Sequence, residues 1–162
     1  MFRPERRVTH AQSLANVLLH VVWSTKNREP WITDGIRARF HSYLIGVLDQ
    51  LDCPSLETNS EPDHVHILCR LSRTQTISKL VERTKTSTSA WFKTVEGRSR
   101  QFSWQGGYAA FSVSESQVEV VRRYIRTQEK HHRGSRKLDF RDELRELLHK
   151  SGIAFDERYL WE

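Results

Sequence analysis

The chain has 162 residues, 37% of them hydrophobic, and sets 26 Lys and Arg against 20 Asp and Glu, with a pI near 9.6. That length suits one domain with its own core, no apolar run approaches the roughly 20 residues of a membrane span, and the basic opening Met1-Phe2-Arg3-Pro4-Glu5-Arg6-Arg7 lacks the apolar stretch of a signal peptide. Cys53 and Cys69 form neither a CxxC pair nor a disulfide framework, so a cytoplasmic protein with two buried thiols is expected, and the basic balance favours an anionic partner.

Val17-Leu18-Leu19-His20-Val21-Val22-Trp23 reads as a central strand ending at Ser24-Thr25-Lys26-Asn27-Arg28. After the start signal Thr33-Asp34-Gly35, Ile36, Phe40, Leu44, Val47, Leu48 and Leu51 recur at helical spacing. A short strand is expected near Cys53 to Thr58, a turn at Asn59-Ser60-Glu61-Pro62-Asp63, and a further strand from His64 to Leu71. A second helix starts near Thr76-Ile77, with Ile77, Leu80, Val81, Thr84 and Trp91 inward, Lys79 and Arg83 outward and Lys85 on the flank. Gly106-Gly107 precede a fourth strand, Tyr108 to Val113. Ser116-Gln117-Val118-Glu119 spells a capping box that opens a third helix running to about His131. Phe140, Leu144, Leu147 and Leu148 mark a last helix stopped at Gly152. The order βαββαβ followed by helices predicts an α+β, ferredoxin-like (split βαβ) antiparallel sheet with helices on one face, and C-terminal helices after it. The whole chain is read as one domain, with a core over about 14–131 and a C-terminal helix and tail over 132–162.

Two segments carry chemistry. In Asp63-His64-Val65-His66-Ile67-Leu68, alternation puts both imidazoles on one strand face, which is expected to be open to solvent; a core strand has little use for such a pair, whereas a metal or phosphate site does. In Tyr124-Ile125-Arg126-Thr127-Gln128, the tyrosine and glutamine are four residues apart and share a helix face, at the margin of the Val118, Val121, Ile125 stripe. Around them Arg122, Arg123, Arg126, Lys130, Arg133 and Arg136 face a single acid, Glu129. Such a run is often only a solvated face, and His131 and His132 within it weaken that explanation.

Nearly the whole chain resembles the single-tyrosine HUH transposases of small bacterial insertion sequences (the transposase 17 family) and their relatives, the REP-associated tyrosine transposases. The resemblance is carried by Trp23-Ser24-Thr25-Lys26-Asn27-Arg28, Asp63-His64-Val65-His66-Ile67-Leu68, Ser78-Lys79-Leu80-Val81, Phe102-Ser103-Trp104-Gln105-Gly106-Gly107-Tyr108, Ala110-Phe111-Ser112-Val113-Ser114, Tyr124-Ile125-Arg126-Thr127-Gln128 through His131-His132, and the tail Gly152-Ile153 to Tyr159-Leu160. It implies that His64, His66 and Gln128 hold a divalent metal, Mg²⁺ or Mn²⁺, and that Tyr124 attacks a DNA phosphate to give a 5′-phosphotyrosine and a free 3′-hydroxyl. It also implies single-stranded DNA with hairpin ends as substrate. The resemblance also implies a homodimer, in which the tyrosine helix of one subunit can complete the other's site, a docking that the mobile-looking flanks at Gly106-Gly107 and Gly134-Ser135 could permit. Lys26, Arg28, Lys79, Arg83, Lys85, Arg122 and Arg126 are candidates for DNA contacts; Trp104 or Tyr108 for base stacking, with core packing the stronger expectation for Trp104. His131 and His132 match a recurring pair, with a helix C-terminal cap as their plain alternative. Two further readings stand beside this one: a domesticated REP-associated relative acting on chromosomal repeats, and a non-enzymatic ferredoxin-like binder of single-stranded nucleic acid.

Overall fold

Four antiparallel strands form one sheet in the order β2-β3-β1-β4, in a computed structural model that describes residues 13–95, 100–129 and 139–160. The elements run β1 (Leu18–Ser24), α1 (Asp34–Gln50), β2 (Ser55–Glu61), β3 (His64–Arg70), α2 (Ile77–Phe92), β4 (Ala109–Val113), α3 (Val118–Arg126) and α4 (Phe140–Lys150). This is the split βαβ order expected from the hydrophobic periods.

The period of two sorts the central strands. Leu19, Val21 and Trp23 of β1, with Val65, Ile67 and Cys69 of β3, face α1 and α2 and build the main core with Phe40, Leu44, Leu48, Leu80 and Val81. The opposite face is also covered. Leu18 and Leu68 pack against Val118 and Ile125 of α3, and Val22 and Phe111 pack against Phe140, Leu144 and Leu148 of α4. Ile125 is fully buried, a contribution of roughly 2–3 kcal/mol by itself. His20, His64 and His66 lie between these two apolar clusters, and β1 and β3 are held in register by Val22 opposite His66.

Three local expectations are corrected. Asn59, Ser60 and Glu61 extend β2 instead of turning, leaving only Pro62-Asp63 in the bend. Tertiary bonds hold them: Ser60 Oγ lies 2.7 Å from His41 Nε2, and Asn59 Nδ2 donates to the Ile125 carbonyl at 2.8 Å. The capping box does not form, because Glu115–Gln117 make a 3₁₀ turn and Ser116 Oγ pairs with Ser114 Oγ at 3.1 Å. And α3 stops at Arg126, where the Thr127 hydroxyl donates to the Arg123 carbonyl at 2.9 Å; helical backbone resumes at Gln128 and Glu129. Lys130, His131, His132, Arg133, Gly134, Ser135 and Arg136 lie outside the described residues.

The last helix follows its sequence signals closely. Asp139 caps α4 by accepting from the Asp142 N–H at 3.0 Å, and Gly152 takes the left-handed φ of +66° that ends it. Trp104 is a core residue, as its stronger expectation had it: its Nε1 donates to Thr88 Oγ1 at 2.9 Å and its ring meets Trp23 edge-on.

Candidate active site

The strand period brings His64 and His66 to one face, and their neighbours turn them. Asp63 Oδ1 lies 2.7 Å from His64 Nδ1, and His20 Nε2, on the adjacent strand, lies 2.9 Å from His66 Nδ1. Both imidazoles therefore direct Nε2 to a common point. There Glu143, from the first turn of α4, places Oε2 3.4 Å from His64 Nε2 and Oε1 3.3 Å from His66 Nε2. The Tyr124 hydroxyl donates to Glu143 Oε1, and its ring stands edge-on to His66 with centroids 5.9 Å apart. Phe140 stacks on His64 at 4.4 Å. Gln128, fully buried, points its amide to the Tyr124 carbonyl at 3.5 Å and also hydrogen-bonds the phenol.

Tyr124, His64, His66 and Gln128 thus lie together, as the resemblance implies, within one chain. The helix expected to serve a partner's histidines docks on its own sheet, held by Ile125 and by Asn59. The histidine face is not open to solvent: His64 and His66 are 1% and 0% exposed, because α3 and the first turn of α4 cover it. Tyr124 is the half-buried member of the group.

Charge is unevenly spread. Burial works against protonation of His64, but hydrogen bonds and charge from Asp63 and Glu143 outweigh it and raise its pKa to about 9. Burial, then the charge of His66, drives His20 down to about 3 despite Glu143 nearby. Burial foremost, then the charge and hydrogen bond of Glu143, keeps the Tyr124 phenol well above its ordinary value, with Gln128 acting the other way.

A pH dependence of stability follows for protein stripped of metal. A raised pKa in the folded state means that the His64 contribution is fully present below pH 6.5 and is lost as pH rises through about 9, a decline of at most about 3 kcal/mol. His20 and His41, depressed to about 3 and about 4, contribute above pH 6.5 and lose that contribution as pH falls through their folded values. Urea unfolding from pH 4 to 9 in EDTA should therefore give a maximum near neutrality, with the alkaline decline absent in His64→Gln. An alkaline limb unchanged in His64→Gln would contradict the assignment.

The DNA-contact candidates do not converge. Lys26 and Arg28 form the 3₁₀ turn after β1, where Asn27 and Arg28 have φ of 55° and 56°, and Arg28 reaches Asp139 at 3.6 Å. Lys79 and Arg83 are exposed on α2, across the sheet from the histidines, with Lys79 paired to Glu82 at 3.2 Å. Arg122 and Arg126 both reach Glu57 on β2, at 3.4 and 2.8 Å. Lys85 is committed elsewhere: its ammonium donates to the carbonyls of Gln105 and Gly107 at 2.7 and 2.6 Å, and burial lowers its pKa to about 8. Its role is to hold the loop before β4.

Glu143, Asp63 and His20 were not foreseen. Asp63 sits beside His64 in sequence, and the period of two alone puts His20 on the face of β1 opposite Val21; both were findable. Glu143 carries no such signal, since an acid in the first turn of a helix is explained by the helix dipole. The donor atoms of His64, His66 and Glu143 all lie within 4.8 Å of one another, and all three residues are buried. Two imidazole nitrogens and a carboxylate oxygen fit a divalent transition metal such as Mn²⁺ better than Mg²⁺, which prefers oxygen alone.

Residues 13–128 match the family model of IS200-like transposases. No curated protein is similar enough to match. Among solved structures, a protein described as a "putative transposase" from Deinococcus radiodurans R1 superposes with a TM-score of 0.57 at 19% identity, over 74% of this chain and 96% of that one. A REP-associated tyrosine transposase bound to a REP hairpin superposes with a TM-score of 0.58 at 12% identity, over 76% of this chain and 73% of that one. At these identities the likeness is one of fold. The matched segment ends at Gln128, so Glu143 lies beyond it.

Proposed function

The chain belongs to the IS200-like transposase family, and we propose that it cleaves and rejoins single-stranded DNA at hairpin-bearing ends through a 5′-phosphotyrosine on Tyr124. The observation that carries this reading is the meeting, in one chain, of a buried His64–His66–Glu143 donor set with the hydroxyl of Tyr124.

Each residue then has a task. The Tyr124 oxygen bonds to phosphorus as the bond to the 3′-oxygen breaks; the departing oxygen takes a proton from water to become the 3′-hydroxyl, and a phosphodiester stays on the enzyme. Because the phenol is held well above its ordinary pKa, phenolate is scarce at neutrality, and the proton must leave during attack. Glu143 Oε1 already accepts that hydrogen and takes the proton. Gln128 favours the ionised phenol and steers it. His64, His66 and Glu143 would hold a divalent metal, whose contribution there would be Lewis-acid polarisation of a non-bridging phosphate oxygen. The DNA comes in on the side of Tyr124, the half-exposed member of the group. The covalent intermediate retains the phosphodiester, so a second 3′-hydroxyl reverses the step without a nucleotide cofactor. A hairpin substrate is in keeping with the relative of like fold that is bound to one. A homodimer, implied by the resemblance, would bring two DNA ends together and would not be needed to complete a site.

The ligand set distinguishes this proposal from one resting on Gln128. Mn²⁺ titrations followed by electron paramagnetic resonance should show affinity falling on the order of a hundredfold in Glu143→Ala and about threefold or less in Gln128→Ala. DNA cleavage by the wild type should be lost in EDTA and restored by Mn²⁺. The reverse ranking of the two variants would return the third ligand to Gln128; cleavage indifferent to EDTA would end the metal reading altogether.

A further inference from the structure

His20 is a buried imidazole where packing alone asks for none. Its ring sits between Phe111 at 5.8 Å and Tyr124 at 6.0 Å, and is stacked at 5.2 Å on His66. It is 4% exposed, and its contact with His66 Nδ1 is the one side-chain hydrogen bond it makes among the described residues. An apolar side chain would fill this place without the roughly 1–3 kcal/mol cost of burying a polar ring. We propose that His20 is the positioning residue of the metal centre, accepting the Nδ1 proton of His66 and so fixing the tautomer and ring orientation in which His66 Nε2 is the ligand.

The argument is geometric and rests on the metal reading given above. His66 Nε2 faces Glu143, 3.3 Å away, so ligation on that side requires the ring's proton to sit on Nδ1. The Nδ1 atom lies 2.9 Å from His20 Nε2, a hydrogen-bond distance, so a proton on Nδ1 makes His20 Nε2 its acceptor. The two histidine ligands are thus oriented by unlike partners. Asp63, a carboxylate, holds His64 Nδ1, and a neutral ring on the neighbouring strand holds that of His66. The strand register makes this possible, because β1 and β3 are adjacent and Val22 lies opposite His66, leaving His20 one pleat along on the same face.

The test uses the full chain with Mn²⁺ alone, so that affinity is read without DNA or turnover. His20→Leu should weaken Mn²⁺ binding about 10- to 100-fold, the usual cost of losing a group that orients a ligand, while thermal unfolding without metal still shows a cooperative fold. His20→Gln, whose amide oxygen reaches near the Nε2 position, should recover affinity to within about threefold of the wild type. Wild-type affinity in His20→Leu, or equal losses in both variants, would overturn the proposal while leaving the metal site standing. Absence of Mn²⁺ binding by the wild type would overturn both. Should His20→Leu fail to fold, ¹⁵N spectra of wild-type imidazoles with Zn²⁺, a diamagnetic probe, decide the matter. The proposal expects a proton on His66 Nδ1 and none on His20 Nε2; the opposite pattern would refute it.

Discussion

Tyr124→Phe should abolish the covalent protein–DNA adduct and lower strand cleavage on the order of a thousandfold or more, because it deletes the only atom proposed to bond phosphorus. The aromatic ring remains, so its packing against His20 and His66 and the burial of Ile125 one residue away are retained. Binding of a DNA hairpin should therefore change little, while loss of the hydrogen bond to the buried Glu143 should lower stability by about 1–3 kcal/mol without loss of the fold. A denaturing gel with labelled hairpin DNA reads the adduct, and a native gel reads binding. Mixing this variant with a His64→Ala/His66→Ala chain adds a second check. Each α3 docks on its own sheet, so mixed preparations should stay inactive. Recovered adduct would mean that helices are exchanged between chains.

His64→Ala and His66→Ala should each remove metal-dependent cleavage, and here the buried setting changes the expectation for stability. On a solvent-facing strand such changes would merely empty a site. In the structure they also remove the stacking of His64 on Phe140 and leave Glu143, 3% exposed, with one fewer cationic or hydrogen-bonding neighbour. Each variant should be less stable by about 1–3 kcal/mol in EDTA, and Mn²⁺ should no longer raise its unfolding midpoint. Cleavage that survives in either variant, or a midpoint still raised by Mn²⁺, would separate these histidines from the metal.

Much of the fold is legible in the sequence because its elements are strongly periodic. The helical stripe from Ile36 to Leu51 and the alternation of His64 to Leu68 leave little freedom, and the two-residue bend at Pro62-Asp63 makes β2 and β3 pair. What was misread has tertiary causes. Asn59 to Glu61 look like a turn by composition, yet β3 on one side and the end of α3 on the other supply partners that favour extension. Ser116 to Glu119 spell a capping box, but Ser114 competes for the serine hydroxyl. The site was half legible for a similar reason. Spacing puts His64 and His66 on one strand face and Tyr124 and Gln128 on one helix face, the family resemblance is what joins the two pairs, and Asp63 and His20 follow once strand faces are assigned. Glu143 does not, because its distance from His64 is set by how α4 packs over Val22 and Phe111, a contact that no local pattern encodes.

The central claim, that the Tyr124 oxygen becomes bonded to DNA beside its own chain's histidines, is tested most directly by isolating the adduct. Wild-type protein is incubated with Mn²⁺ and a single-stranded hairpin carrying its flanking sequence, digested with protease and nuclease, and sequenced by tandem mass spectrometry. A nucleotide phosphate linked through its 5′ end to the peptide containing Tyr124-Ile125-Arg126, and absent when EDTA is present, is the expected result. The same modification on Tyr108 or another residue, or efficient cleavage that leaves no peptide-linked nucleotide, would contradict the account.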